Sequence, residues 1–318
     1  MRVVLTGGAG FVGGAVARQL RERGDDVIAL VRDPGRAGHL NAIGAAVVGD
    51  DLSDVRRLVG ALGTADAVIH AAGSYRVGIR GDERDAMWDA NVGTTTRVLD
   101  AAASAGVPRV VYVSTVNAFG NTHGAVVDED FRRDIAAGFL SWYDETKFRA
   151  HEVAEARIAR GAPIVVVLPS QVYGPGDHSA FGEQLTAAHD GKLPYRVVDD
   201  VGVGLVHVDD LADGIVAALD RGTLGRSYVL SGPRTTLGGA VKLAALLGGR
   251  RPPRLRVPTG LLRVMAPLGV LIGQPNLREV ISASSGVTYW ATSARAEGEL
   301  GWRARDVETG LRDTFASA

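Results

Sequence analysis

Short apolar runs rich in β-branched residues recur through the first two thirds of the chain, separated by longer stretches whose apolar positions fall three and four apart. Arg2 to Thr6, Val27 to Val31, Ala45 to Val48, Ala67 to His70, Val110 to Ser114 and Ile164 to Leu168 read as six strands. Their near-continuous apolar character predicts burial on both faces. Between them, Phe11 to Arg23, Thr94 to Ala105 and Tyr143 to Arg160 carry the period of amphipathic helices. Strands alternating with helices predict an α/β fold, a doubly wound parallel sheet of the Rossmann kind covered on both faces.

Past about Pro169 glycine and proline punctuate shorter elements, and the alternation loses its regular spacing. The expected organisation is a dinucleotide-binding domain over residues 1–168, followed over 169–318 by a mainly substrate-binding part interleaved with the last Rossmann elements. Gly248 to Pro253 reads as a loop joining a helix to a short extended segment. The longest late apolar stretch, Leu261 to Ile272, contains Arg263 and Pro267 and falls short of the ~20 residues that span a bilayer. It is expected to be a buried or pocket-lining helix.

At 318 residues the chain can bury a large core. The 35 basic and 36 acidic residues nearly cancel, which argues against nucleic acid or an acidic membrane as partner and for a small-molecule substrate. The absence of cysteine removes disulfides, thiolate metal sites and thiol catalysis, and the seven histidines lack paired ligand spacing, so no metal is expected. The apolar start reaches glycines after six residues, too soon for a signal peptide, so a cytoplasmic protein is expected.

Thr6-Gly7-Gly8-Ala9-Gly10-Phe11-Val12-Gly13 follows the first strand and opens the first helix, where a dinucleotide fold needs its glycines. Gly7 permits the tight turn, Gly10 lets backbone approach a pyrophosphate, and Gly13 allows close helix packing. The helix N-terminal amides, Phe11 and Val12 among them, then meet the phosphates. Tyr143 and Lys147, four residues apart at the start of a helix, share one face. A cation beside a phenol favours its ionised form, so Lys147 is expected to bring Tyr143 down from its ordinary value of about 10.

The GxxGxxG spacing, Tyr143-Asp144-Glu145-Thr146-Lys147 and the segment Val111 to Gly120 resemble the extended branch of the short-chain dehydrogenase/reductase superfamily, the epimerase/dehydratase family. The resemblance implies a Ser/Thr–Tyr–Lys catalytic set. Counting back from Gly120 puts its hydroxyl on Thr115, with Ser114 pointing to the other side of the strand. Thr115 would hydrogen-bond the substrate oxygen, Tyr143 would give or take the proton, and Lys147 would also hold the nicotinamide ribose. The resemblance further implies cofactor contacts at Asp51 and Leu52, at Ala71, Ala72 and Gly73, and at Pro169 and Val172. Asn91 matches a position that braces the sheet near the active site.

The second strand ends Leu30-Val31-Arg32-Asp33-Pro34. Arg32 can pair with a 2′-phosphate, as in reductases of similar sequence, whereas Asp33 argues for NAD. NADP is favoured, with NAD possible. Leu168 to Asp177 reads Pro-Ser-Gln-Val-Tyr-Gly-Pro, with Gln171 where many nucleotide-sugar enzymes have asparagine, and is closest to the dihydroflavonol-reductase-like group. His207-Val208-Asp209-Asp210 and Glu299-Leu300-Gly301-Trp302 extend the resemblance nearly end to end.

The expected function is NADP-dependent reduction of a ketone or aldehyde, or oxidation of the alcohol, on a small, largely apolar substrate. The alternative is an NAD-retaining nucleotide-sugar epimerase or dehydratase, for which Arg254 and Arg256 offer phosphate partners. A third is a cofactor-sensing protein without catalysis. Tyr75, Trp142, Phe181, Tyr195 and the 261–272 stretch are candidates for an apolar wall; His207, Asp209 and Asp210 read as structural. A homodimer is implied as possible by the resemblance.

Overall fold

A computed structural model describes residues 1–197, 199–257, 276–284 and 286–316. The stretch from Leu261 to Ile272 lies outside the described residues. The strands are β1 (Arg2–Thr6), β2 (Asp26–Val31), β3 (Ala46–Gly49), β4 (Ala67–His70), β5 (Val110–Val113), β6 (Ile164–Pro169), β7 (Gln171–Tyr173), β8 (Tyr195–Arg196), β9 (Gly202–His207), β10 (Ser227–Leu230), β11 (Arg234–Thr236) and β12 (Leu255–Arg256). Seven of them form one sheet in the order β10-β6-β5-β4-β1-β2-β3, every pair parallel. The order reverses between β1 and β4, and the crevice beyond the carboxyl ends of those strands is where such sheets take ligands.

The helices are α1 (Phe11–Glu22), α2 (Gly38–Ala42), α3 (Val55–Leu62), α4 (Arg84–Trp88), α5 (Thr94–Ser104), α6 (Trp142–Ile158), α7 (Ala180–His189), α8 (Val208–Arg221), α9 (Leu237–Leu247), α10 (Leu277–Ser282), α11 (Ala294–Leu300) and α12 (Val307–Ala316). None of the described helices is long and apolar enough to cross a membrane. Alternate strand residues feed two cores, one on each side of the sheet. Val4, Val68, Val110, Tyr112, Val166 and Leu168 pack toward α3, α5 and α6. Val3, Leu5, Ile69, Val111, Val165 and Val167 pack toward α1 and α8. Two-sided burial is why these strands show no polar alternation.

Two departures from the sequence reading have simple causes. β3 is mostly exposed rather than buried on both faces, because it is the sheet edge. The seventh strand, β10, is not among the six read from the sequence because it lies past Pro169, where the alternation loses its regular spacing, yet it is almost wholly buried beside β6. After residue 169 the elements divide. β10 and α8 join the large sheet, while β7, β9 and β11 form a three-stranded sheet and β8 pairs with β12.

Candidate active site

The turn between β1 and α1 is compact for a reason visible atom by atom. Gly7 has φ +77°, and a Cβ there would lie 2.6 Å from the Ala72 nitrogen, so β4's exit at Ala71–Ala72 presses on the turn. A Cβ on Gly13 would lie 2.1 Å from the Gly7 carbonyl oxygen, which only glycine allows. Gly10 donates its N–H to that same oxygen at 2.9 Å and caps α1. No side chain caps the helix and its first turn has no acid, which leaves the first-turn amides, including those of Phe11 and Val12, unclaimed by any side chain. Tight turn, close approach and unclaimed amides together suit a pyrophosphate.

Around that cradle, Arg32 is exposed at the end of β2 and makes no hydrogen bond or ion pair among the described residues. The Asp33 carboxylate instead accepts the Gly35 N–H at 3.0 Å, capping a short turn. Leu52 adopts φ +62°, a conformation uncommon for a bulky residue. It is held from both sides, its N–H on Asp50 Oδ1 at 2.7 Å and its carbonyl on Arg97 Nε at 2.7 Å. Asp51 accepts the Ser53 amide and hydroxyl at 3.0 and 2.6 Å, which draws its carboxyl below the usual range.

Ser141 starts α6, accepting the Asp144 N–H at 3.0 Å, so Tyr143 and Lys147 lie in consecutive turns of one helix. Both are buried, as is Thr115 at the end of β5. The Thr115 hydroxyl approaches the Asn117 Oδ1 at 3.1 Å and the Pro169 carbonyl at 3.4 Å. Ser114 is turned away, its hydroxyl 3.1 Å from His151 Nδ1 on α6. Tyr75 packs edge-on against Tyr143 at 4.8 Å. Lys147 Nζ lies beside Gly73 and 5.7 Å from the centre of the Tyr112 ring. Val172 is half-buried beside Gln171.

The expected influence of Lys147 on Tyr143 is not the dominant one. Burial is the largest influence and Tyr75 the next; both raise the phenol above its ordinary value, and the lysine is not among the main contributors. Burial also pushes Lys147 down, to about 8, so it is still mostly an ammonium at neutral pH. The sequence places the two residues on one face, but only the fold shows how thoroughly both are desolvated.

Beneath them runs a buried polar network. Thr95 donates its hydroxyl to the Asn91 carbonyl at 2.6 Å and so accepts from His70 Nε2 at 3.1 Å, which leaves His70 Nδ1 to accept from Thr6 Oγ1 at 2.7 Å. A π-helical turn over Asp89–Gly93 presents Asn91, whose amide bonds Ser74 at 2.7 and 3.1 Å and Thr146 at 2.9 Å. Asn91 thus ties the β4 exit to α6. Burial, helped by the charge of Lys147, lowers the His70 pKa from 6.5 to about 3.

Unfolded, His70 would protonate near 6.5, so between 6.5 and about 3 the unfolded chain binds more protons than the folded one. Its contribution to stability is complete above 6.5 and is lost as pH falls through that window. Thermal melts of the wild type should therefore drop between pH 7 and pH 5, and His70→Asn should flatten the slope. Equal slopes in the two proteins would contradict this account.

A cavity of about 740 Å³ is lined by Tyr143, by Asn117, Ser170 and Gln171, and by the aromatic rings of Tyr75, Phe181 and Tyr289 among others. Tyr75 and Phe181 thus line it as expected, but Trp142 and Tyr195 do not. The Trp142 indole packs on Trp88 and Arg84 and donates to the Arg84 carbonyl at 3.0 Å, while Tyr195 is exposed in β8. Val280, Ala283, Ser284 and Tyr289 complete the wall without any periodic signal in the sequence. Glu279 of α10 accepts the Trp142 N–H, joining this wall to the start of α6.

The two arginines on the cavity wall are already paired, Arg76 with Glu83 at 2.9 Å and Arg80 with Asp82 at 3.2 Å and Glu83 at 3.8 Å. Arg256 faces Asp199 and Asp200 at 4.0 and 3.7 Å, and Arg254 is exposed outside the cavity lining. Asp210 forks with Arg305 at 2.7 Å, Asp209 pairs with Arg18, and His207 caps α8, all structural arrangements.

Residues 3–231 match the family described as NAD dependent epimerase/dehydratase. The chain is 30% identical to a putative dihydroflavonol 4-reductase of Synechocystis sp., covering 97% of this chain and 92% of that protein. It is 28% identical to the 2-alkyl-3-oxoalkanoate reductase of Stenotrophomonas maltophilia, over 100% of this chain and 99% of the relative. The crystal structure of gox2253 superposes with a TM-score of 0.84 at 31% identity, covering 99% of this chain and 97% of that one.

Proposed function

The chain belongs to the NAD-dependent epimerase/dehydratase family, an extended short-chain dehydrogenase/reductase, and from that premise we propose that it reduces a ketone or aldehyde on a small, uncharged substrate. The family is one of NAD(P)-dependent enzymes, and this chain's relatives include both reductases and a dehydratase. The pairing of Arg76 and Arg80 with Asp82 and Glu83 carries the reading. A nucleotide sugar brings a diphosphate that needs unpaired cations, and the described arginines lining the cavity are already neutralised. Gln171, in place of the asparagine of many sugar-nucleotide enzymes, points the same way.

A bound nicotinamide cofactor supplies the hydride. The protein's part is to hold the substrate oxygen and move one proton. Burial keeps the Tyr143 phenol protonated at neutral pH, which suits it to donate that proton to the oxygen as it gains charge. Thr115 Oγ1 turns from Asn117 to the same oxygen and shares the developing charge. Lys147 supplies a positive charge one helical turn away. Gly7, Gly10, Gly13 and the Phe11 and Val12 amides would hold the pyrophosphate. Asp51 and Leu52 would bound the adenine side, and Ala71, Ala72, Gly73, Pro169 and Val172 the nicotinamide side. Unpartnered Arg32 favours NADP, since Asp33 is engaged by its own turn.

The test is to supply NADPH or NADH with a panel of carbonyl compounds and of UDP- and TDP-sugars. Net consumption with carbonyls is expected, with NADPH bound about tenfold more tightly than NADH, the scale of one charge-assisted contact. Tight nucleotide-sugar binding with no net cofactor consumption would overturn the reductase reading in favour of an epimerase or dehydratase. Equal affinity for the two cofactors would overturn the role of Arg32.

A further inference from the structure

The near-cancellation of charge over the whole chain hides a one-sided distribution. Between Asp220 and Glu279 stand ten of the 35 basic residues and none of the 36 acidic ones. Five of the ten, Lys242, Arg250, Arg251, Arg254 and Arg256, fall within fifteen positions, in α9, the loop after it and β12. All five are exposed. Arg256 is turned to Asp199 and Asp200, but the side chains of Lys242, Arg250, Arg251 and Arg254 make no hydrogen bond or ion pair among the described residues.

Large apolar side chains stand exposed among these cations. Leu246 is 61% exposed, Leu255 63% and Tyr195 47%. β8 and β12 pair in parallel with Tyr195 opposite Leu255 and Arg196 opposite Arg256, so the two apolar side chains share one side of the ribbon and the two arginines the other. Arg196 and Arg256 are drawn to Asp199, at 2.8 and 4.0 Å, which leaves the side of Tyr195 and Leu255 outward. On α9, Lys242 and Leu246 stand four apart on the exposed face. A Cβ on Gly191 would lie 3.1 Å from Arg250 Cδ, and Arg196 Nε donates to the Pro253 carbonyl at 2.8 Å, so the α9–β12 loop and the turn before β8 make one surface.

Unpaired cations gathered on one surface fit a partner that carries anions, and the apolar side chains set among them narrow its kind. A soluble polyanion uses the charges but not Leu246 and Leu255. A lipid surface uses both, with headgroups for the arginines and the acyl boundary for the apolar side chains. Tyrosine suits that boundary, having an apolar ring and a polar tip. We propose that the face carrying Arg250, Arg251, Arg254, Leu246, Leu255 and Tyr195 docks the protein on an anionic lipid bilayer, lying on it without crossing it. α9 begins at Leu237 on the cavity wall and runs about 15 Å to this face, so attachment brings the cavity near the lipid.

The experiment is co-sedimentation of the full chain with vesicles of phosphatidylcholine alone and of an equal mixture with phosphatidylglycerol. Binding is expected only to the mixture, and it should weaken as salt is added. Arg250→Gln/Arg251→Gln/Arg254→Gln is expected to weaken it about 10²-fold, about fivefold per arginine. Tyr195→Ser/Leu255→Ser, with every arginine kept, is expected to weaken it about tenfold or more. The replaced side chains are exposed, so both variants should melt with the wild type. No binding to the mixture, or equal binding to the two kinds of vesicle, would overturn the proposal. Loss in the arginine variant with full binding in the apolar one would also overturn it, since the face would then serve a soluble polyanion such as RNA. Turnover is not part of the readout, so docking stands or falls apart from the carbonyl-reductase reading.

Discussion

Tyr143→Phe is expected to lower kcat by about 10²–10⁴-fold, the range for losing a positioned general acid, while cofactor affinity stays within about twofold. The phenol is buried beside Tyr75, so the ring of phenylalanine fits the same space and only the proton donor is lost. Steady-state rates with NADPH and a turned-over carbonyl, together with a fluorescence titration of the cofactor, separate the two effects. Turnover close to the wild type would show that another group gives the proton. Thr115 would then be the first alternative, since its hydroxyl is already engaged with Asn117 beside the same oxygen position.

Gly13→Ala is expected to weaken cofactor binding, which Tyr143→Phe spares, and to cost stability as well. The added Cβ would meet the Gly7 carbonyl oxygen at 2.1 Å, its carbon at 2.7 Å and Gly8 Cα at 2.9 Å. All three are backbone atoms, so the whole turn must move. Overpacking of this kind costs roughly 1–3 kcal/mol or more. Gly14→Ala is the control, one residue along the same helix. Its Cβ would meet His39 at 3.5 Å and the Gly8 oxygen at 3.6 Å, ordinary contacts, so helix propensity should make it neutral or stabilising by up to about 1 kcal/mol. Melting temperatures and NADPH titration of the two variants test this. A Gly13→Ala protein that melts and binds like the wild type would remove the close-packing argument.

The α/β architecture was legible in the sequence because a strand buried on both faces has no polar positions to interrupt it, and because Gly7 to Gly13 follow β1 immediately. Thr115 and Ser114 were separable for the same reason: adjacent strand residues point to opposite sides, and the fold turns Ser114 to His151. Chain neighbours could not reveal how deeply a side chain is desolvated. The phenol of Tyr143 therefore moves upward rather than downward, and His70 emerges as a neutral bridge between Thr6 and Thr95. Trp142 adjoins Tyr143 in the chain, yet on a helix neighbouring residues point about 100° apart, and its indole packs on Trp88 rather than on the cavity.

The order of the large sheet also bears on how the protein is made. Strand β6 is apolar and fully buried, but its neighbour β10 begins only at Ser227. During synthesis the open edge of β6 stays unpaired while the intervening residues emerge, for several seconds at ~5–20 residues per second. Such an edge is a template for pairing with other chains. A chain ended at residue 168 would carry that exposed edge permanently. The segment after Pro169 thus closes, once β10 has emerged, an edge that is open while the chain is being made.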